Sequence, residues 1–152
     1  MKNKTSAYFI LALVIFLLDQ GTKYIVMKNL NLYQVMSVLP FFNLVYYRNI
    51  GSAFGMFKGL GNPFFILISA AAIVAITVMI IKDSGSRTGL SLILGGAAGN
   101  LTDRIMHGYV VDFLEVYAGN FYWPAFNVAD SALTIGIMLL ILDAIRTPGH
   151  RG

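Results

Sequence analysis

Five short polar groups interrupt an otherwise apolar chain. They are Asp19 with Lys23, the run Asn49-Ile-Gly51-Ser-Ala-Phe54, Asn100 with Asp103 and Arg104, Asp112 inside Val-Val-Asp-Phe, and Asn127 with Asp130. Charge near hydrocarbon is costly, so acids gathered at one level of a bilayer mark a place of chemistry or ion passage. Asp112 and Asp130 are the pair that suggests acid–base work. Two carboxyls in a low dielectric do not readily both ionise. One proton is shared, so one group serves as base and the other as acid. A water between them would attack an amide without metal, serine or cysteine. Each acid also has a plainer reading. Asn127-Val-Ala-Asp130 is the pattern of a helix N-cap with an acid three residues on. Asp112 alone would suit a solvated strand end, although Val111 and Phe113 give it apolar flanks.

The other polar groups read as support. Asp19 and Lys23 are four apart with the acid first, the favourable order for a helical ion pair. Lys23 would extend towards the interface and the pair would brace the fold. Asn100, Asp103 and Arg104 are expected on one helix face. There Asp103 and Arg104 would form a hydrogen-bonded unit, its carboxylate held ionised and passive. Gly95-Gly-Ala-Ala-Gly99 predicts close helix packing that brings Asn100 inward. Other chemistries lack parts. The chain has no cysteine, which excludes disulfides, thiolate catalysis and Cys-ligated zinc. His107 and His150 are the only histidines and form no ligand or triad pattern, so no metal and no cofactor are expected. Ser52 with Lys58 or Lys23 is the remaining nucleophile–base combination. Neither a nucleophile elbow nor a phosphate-binding glycine loop is present.

The elements that must position these groups follow from composition. The chain has 152 residues, of which 57% are hydrophobic and 12% charged, with a mean hydropathy of +0.72. That is about half the charge of a soluble domain and indicates an integral membrane protein. The net charge is +4, but the basic residues sit at the ends of apolar runs and form no nucleic-acid-reading face. Apolar stretches predict transmembrane helices over about 5–27, 63–81, 88–106 and 128–145, in one domain spanning 1–152. The first stretch follows Lys2 and Lys4 like a signal peptide. It has no small-x-small cleavage site and leads straight into Asp19, so it reads as a retained span. The N-terminal tail, the turn 82–87 and the C-terminal tail are short and basic, which places both termini in the cytoplasm. The ends of the four helices that carry the polar groups then converge near the outer face. Two outer stretches, 40–47 and 109–117, are rich in β-branched and aromatic residues and predict strands. Phe54, Phe57, Tyr117, Phe121, Tyr122 and Trp123 suit a headgroup-level aromatic belt.

At these motifs the chain resembles the lipoprotein signal peptidase family, also called signal peptidase II. The likeness rests on Asp19-Gln-Gly-Thr-Lys23, Arg48-Asn-Ile-Gly-Ser-Ala-Phe54, Gly99-Asn-Leu-Thr-Asp-Arg104, Val110-Val-Asp-Phe113 and Phe126-Asn-Val-Ala-Asp-Ser131, in this order and spacing. The resemblance implies an all-α membrane fold of four transmembrane helices with a small extracytoplasmic β-cradle and a short outer helix. It implies an aspartic endopeptidase of the bacterial cytoplasmic membrane; since one chain supplies both acids, a monomer is expected. Such an enzyme removes the signal peptide from a prolipoprotein whose lipobox cysteine carries diacylglycerol, cleaving on the N-terminal side of that cysteine. Globomycin-type cyclic peptides inhibit the family. Carried over by motif, Asp112 and Asp130 would be the catalytic dyad. Asn49, Gly51, Asn100, Asp103, Arg104 and Asn127 would bind substrate or support the dyad, and Asp19 and Lys23 would be structural. Ser52 stands where the family usually has Ala. The glycine- and aromatic-rich segment 51–61 is expected to help cover the site.

Two other classes use the same residues. A proton or ion carrier also needs intramembrane acids, but here they sit at one face and no inverted repeat is visible. A structural scaffold would turn the polar groups into ion pairs and caps, which leaves Asp112 without a nearby sequence partner.

Overall fold

The computed structural model describes residues 2–51 and 61–146, with the side chains of 2–4 left out. The expected cover around 51–61, the Ser52–Lys58 combination and the aromatics Phe54 and Phe57 therefore lie largely outside the described residues. Four helices are present: α1 (Lys2–Asn29), α2 (Gly61–Ile81), α3 (Arg87–His107) and α4 (Val128–Arg146). Between them lie strands β1 (Val35–Leu39), β2 (Phe42–Asn49), β3 (Val110–Ala118) and β4 (Phe121–Tyr122). No short extra helix occurs among the described residues.

Three helices are long and apolar enough to cross a membrane: α1 from Thr5, α2 and α4, with mean hydropathies of 1.7, 2.9 and 2.0. Their large apolar side chains point outward, as at Leu17, Leu67, Val74 and Ile141. Charges go inward instead, with Asp19, Lys23 and Asp103 all buried. This inverts the order of a soluble protein and fits a hydrocarbon solvent. The helix α3 matches α2 in length, at 21 residues. Its Asn100, Asp103 and Arg104 keep it out of the apolar group. It needs no lipid-facing surface of that kind because it packs against α1, α2 and α4 together.

Glycines set how closely α3 is approached. A side chain on Gly95 would meet the Ala12 carbonyl and Ile15 of α1, and one on Gly99 would press on the Asp19 carboxylate. A side chain on Gly96 would meet the Ala129 carbonyl of α4, and Gly89 of α3 faces Gly136 of α4. The small-residue run thus serves two neighbours, with positions 95 and 99 towards α1 and 96 towards α4. Close backbone approach of this kind is how helices gain packing where lipid is as apolar as leucine.

The strands form one antiparallel sheet in the order β1-β2-β3-β4. An irregularity between Leu44 and Tyr47 shifts the β2–β3 register, so that Tyr47 faces Asp112 and Asn49 faces Val110. Tyr46, Val111 and Phe113 then pack on Val26 of α1. Asn49 and Asp112 project from the opposite face, as diagonal neighbours. Beyond β4 the chain returns to β3, where Phe126 exchanges backbone hydrogen bonds with Leu114 at 2.8 and 2.9 Å. That return sets Asn127 and the start of α4 beside Asp112.

Candidate active site

Asp112 enters from β3 and Asp130 from the first turn of α4. The α4 terminus is a reciprocal cap. Asp130 N donates to Asn127 Oδ1 at 2.9 Å and Asn127 N donates to Asp130 Oδ2 at 3.2 Å. The plain capping reading of the sequence is therefore correct, and it engages only one carboxylate oxygen. The other, Asp130 Oδ1, accepts from Asn100 Nδ2 at 2.8 Å. Asp112 is held by two amides: Asn127 Nδ2 donates to its Oδ1 at 2.8 Å and Asn49 Nδ2 donates to its Oδ2 at 3.0 Å. Asn49 Oδ1 in turn accepts from Gly51 N at 3.0 Å. Asn127 thus touches both acids, with its side-chain amide on Asp112 and its backbone on Asp130.

A buried ion cluster stands behind this pair. Lys23 Nζ lies 2.8 Å from Asp19 Oδ2, 3.0 Å from Asp103 Oδ2 and 2.9 Å from Asn100 Oδ1. Its three protons therefore have three acceptors. The ammonium fixes the Asn100 oxygen towards itself and so turns the Asn100 amide nitrogen towards Asp130. Asp19 Oδ1 accepts from Ala129 N at 2.9 Å, tying α1 to the head of α4. Asp103 Oδ2 accepts from Val111 N at 3.0 Å, tying α3 to β3. Asp103 is thus paired with Lys23 and not, as its neighbour in sequence suggested, with Arg104. Along a helix, successive residues point about 100° apart, and only Asp103 faces α1. Arg104 instead lies over the Phe65 ring at 5.1 Å and reaches the Asn100 and Gly51 carbonyls at 3.4 and 3.5 Å. Gln20 is a member of the cluster that its residue type did not reveal. Its Nε2 donates to Asp103 Oδ1 at 3.0 Å and also lies 3.2 Å from Asp19 Oδ2 and from the Gly99 carbonyl. Its position beside Asp19 in the first motif was the available signal.

A cavity of about 790 Å³ opens from these groups. Asn49, Gly51, Asn100, Arg104 and Asp130 line its polar end. Ile68 and Ala72 of α2, Ile93 of α3, and Leu133 and Met138 of α4 line the part along the helices. Asp112 borders this space through Asn49 and Asn127 without lining it. Burial, and then the charge of Asp130, push the Asp112 carboxyl up from the ordinary 3.8 to about 7. Its hydrogen bonds from Asn49 and Asn127 and the Lys23 charge oppose that rise. Near neutrality the site therefore holds a carboxyl able to give or take a proton. Among the described residues, no group of three or more His, Cys, Asp or Glu side chains is placed to hold a metal ion.

The family described as Signal peptidase (SPase) II matches residues 11–146. The chain belongs to the signal peptidase II family. It is 48% identical over 133 residues to the lipoprotein signal peptidase of Thermodesulfovibrio yellowstonii, covering 88% of this chain and 90% of that protein. It is 45% identical over 138 residues to the lipoprotein signal peptidase of Alteromonas mediterranea, covering 86% and 76%. The fold is similar to that of a bacterial membrane enzyme solved by the in meso method at 2.3 Å resolution. The TM-score is 0.86 at 32% identity, over 97% of this chain and 92% of that one. Signal peptidase II enzymes are proteases. With its three long apolar helices, the chain is a bacterial integral membrane protein.

Proposed function

We propose that the chain is an aspartic endopeptidase that removes the signal peptide from diacylglyceryl-modified prolipoproteins, cleaving N-terminal to the lipidated cysteine. The observation that carries this reading is the convergence of Asp112 and Asp130. A buried carboxyl, Asp112, and a half-buried one, Asp130, come from separate elements and share Asn127 at the polar end of an apolar cavity. Asp112 is the proton donor and Asp130 the base. Asp130 takes a proton from water, the resulting hydroxide oxygen bonds to the scissile carbonyl carbon, and Asp112 protonates the carbonyl oxygen. Collapse of the tetrahedral adduct breaks the C–N bond: one hydroxyl returns its proton to Asp112, re-forming the carbonyl, and the amine leaves with the proton taken up by Asp130. Asn49, Asn100 and Asn127 hold the two acids, Gly51 and Arg104 line the space beside them, and Asp103 supports the dyad from behind by holding Lys23 and Val111 N. Asp19 and Lys23 brace the helices.

The apolar part of the cavity accepts the signal helix, and the acyl chains of the substrate remain in lipid. In this reading α3 is the fourth span of a single domain, enclosed by the other three helices. Both termini face the cytoplasm, and the site opens at the outer face of the cytoplasmic membrane. A globomycin-type cyclic peptide would occupy the same cavity. One chain supplies both acids, which is consistent with a monomer.

The test is cleavage of a purified diacylglyceryl-modified prolipoprotein in the presence of a chelator. Asp112→Asn and Asp130→Asn should each lower kcat about 10²–10⁴-fold, the usual worth of a positioned acid or base, while remaining folded. Near-normal product from either folded variant would reject the dyad.

A further inference from the structure

A second cluster of polar and aromatic side chains lies on the opposite face of the sheet, at the C-terminal end of α3. Arg48 follows Tyr46 and Tyr47 on β2 and is exposed. Its guanidinium carbon lies 4.6 Å from the Tyr109 ring centroid and 5.8 Å from that of Tyr46, and its Nε is 3.4 Å from the Tyr46 hydroxyl. His107, in the last turn of α3, stacks on the other partner, Tyr109, at 5.7 Å. The guanidinium is therefore held by aromatic faces on an exposed side chain. Among the described residues it has no carboxylate partner. The chain contains seven acidic residues, all of them described, and the ion pairs formed by Asp19, Asp103 and Asp83 go to Lys23 and Arg87. None forms an ion pair with Arg48, whose side chain contacts the neutral phenol rings of Tyr46 and Tyr109.

The height of this stack is set by its neighbours. Ile105 and Met106, directly before His107, are 64% and 68% exposed, and Ile50, two residues after Arg48, is 68% exposed. Side chains so apolar and so open belong against lipid. The arginine thus stands where hydrocarbon gives way to headgroups, a level at which tyrosines concentrate. The anion present there at high density is the phosphodiester of a phospholipid. A guanidinium fork fits two of its oxygens, and a fork already fixed by stacking loses little freedom on binding.

We infer that Arg48, oriented by Tyr46 and Tyr109 and flanked by His107, is a binding site for the phosphate of an outer-leaflet phospholipid. The inference rests on the membrane placement of the helices and not on the catalytic reading. It has a consequence for the site, because the next residue, Asn49, donates to Asp112. A bound phosphate clamps that end of β2 at headgroup height and fixes the depth at which Asn49 and Asp112 meet a membrane-borne substrate.

The experiment is native mass spectrometry of the full chain in a maltoside detergent, titrated with dioleoyl phosphatidylglycerol. A glucosyl dioleoylglycerol with the same chains and no phosphate serves as comparison. Wild type should prefer the phospholipid about fivefold, the worth of one surface cation at a membrane. Arg48→Gln should abolish the preference, Tyr109→Leu should weaken it, and Arg48→Lys should retain part of it. Lys28→Gln, a substitution of another exposed cation, should leave it unchanged. The side chains of Arg48, Tyr109 and Lys28 make no hydrogen bond to Asp112 or Asp130, so cleavage in detergent should survive in all four variants. An unchanged preference in Arg48→Gln overturns the assignment. Displacement of the lipid by inorganic phosphate would also overturn it, by showing a site for free anions instead.

Discussion

Replacing Asp112 with asparagine should stabilise the protein at alkaline pH while lowering kcat about 10²–10⁴-fold. The carboxyl moves from the ordinary 3.8 to about 7 in the folded chain, which corresponds to about 4 kcal/mol at about 1.4 kcal/mol per pH unit. The sign follows from proton counts. Below about pH 4 both folded and unfolded chains hold the proton and nothing is lost. Between about pH 4 and 7 the unfolded chain ionises while the folded one keeps its proton, so stability falls as pH rises. Above about pH 7 the full cost is present. Asparagine removes this term and introduces another. Both Asp112 oxygens accept from amide groups, of Asn127 and Asn49, whereas asparagine offers one oxygen and a second amide nitrogen. One donor is left facing a donor, at about 1–3 kcal/mol independent of pH. The variant should therefore unfold several degrees above wild type near pH 8, with the difference shrinking and reversing towards pH 4. Thermal unfolding in detergent across that range measures it. A difference that does not change with pH would refute the argument, whatever its size, because burial of an ionisable carboxyl would then not be the cause.

Other substitutions test the support. Gly99→Ala presses a methyl on the Asp19 carboxylate, and should cost about 1–3 kcal/mol in unfolding stability as an overpacked contact. Lys23→Met leaves Asp19 and Asp103 buried without their cation. Its cost should be about 3–5 kcal/mol, visible as a low yield of folded protein from detergent extracts. Asp83→Asn removes the pair with Arg87, in which the carboxylate is exposed to solvent, and should change the unfolding temperature little, since pairs open to solvent contribute about 1 kcal/mol or less.

Much of the architecture was legible because a membrane reduces folding to a one-dimensional signal. Apolar runs long enough to span hydrocarbon must be helices with their backbone groups satisfied internally, and α2 and α4 begin and end close to where hydropathy changes. The strands were less legible. The β-branched and aromatic stretches 40–47 and 109–117 overlap β2 and β3, whereas β1 and the two-residue β4 exist only through pairing with them. The capping pattern at Asn127 and Asp130 was readable locally, since its partners are three residues apart. The Asp103–Arg104 unit was not, because adjacency in sequence does not place two side chains on the same side of a helix.

The sequence by itself determined which polar groups exist, that they fall at helix ends and strands, and that hydrocarbon surrounds the rest. Tertiary structure alone decided their partners. Lys23 meets Asp103 and Asn100 only because glycines let α1 and α3 approach until backbone and carboxylate touch. Asp112 reaches Asn49 only because the irregularity in β2 turns that residue to the same face of the sheet. Contacts between residues eighty positions apart depend on side-chain shape and angle in three dimensions, and neither is written in local pattern.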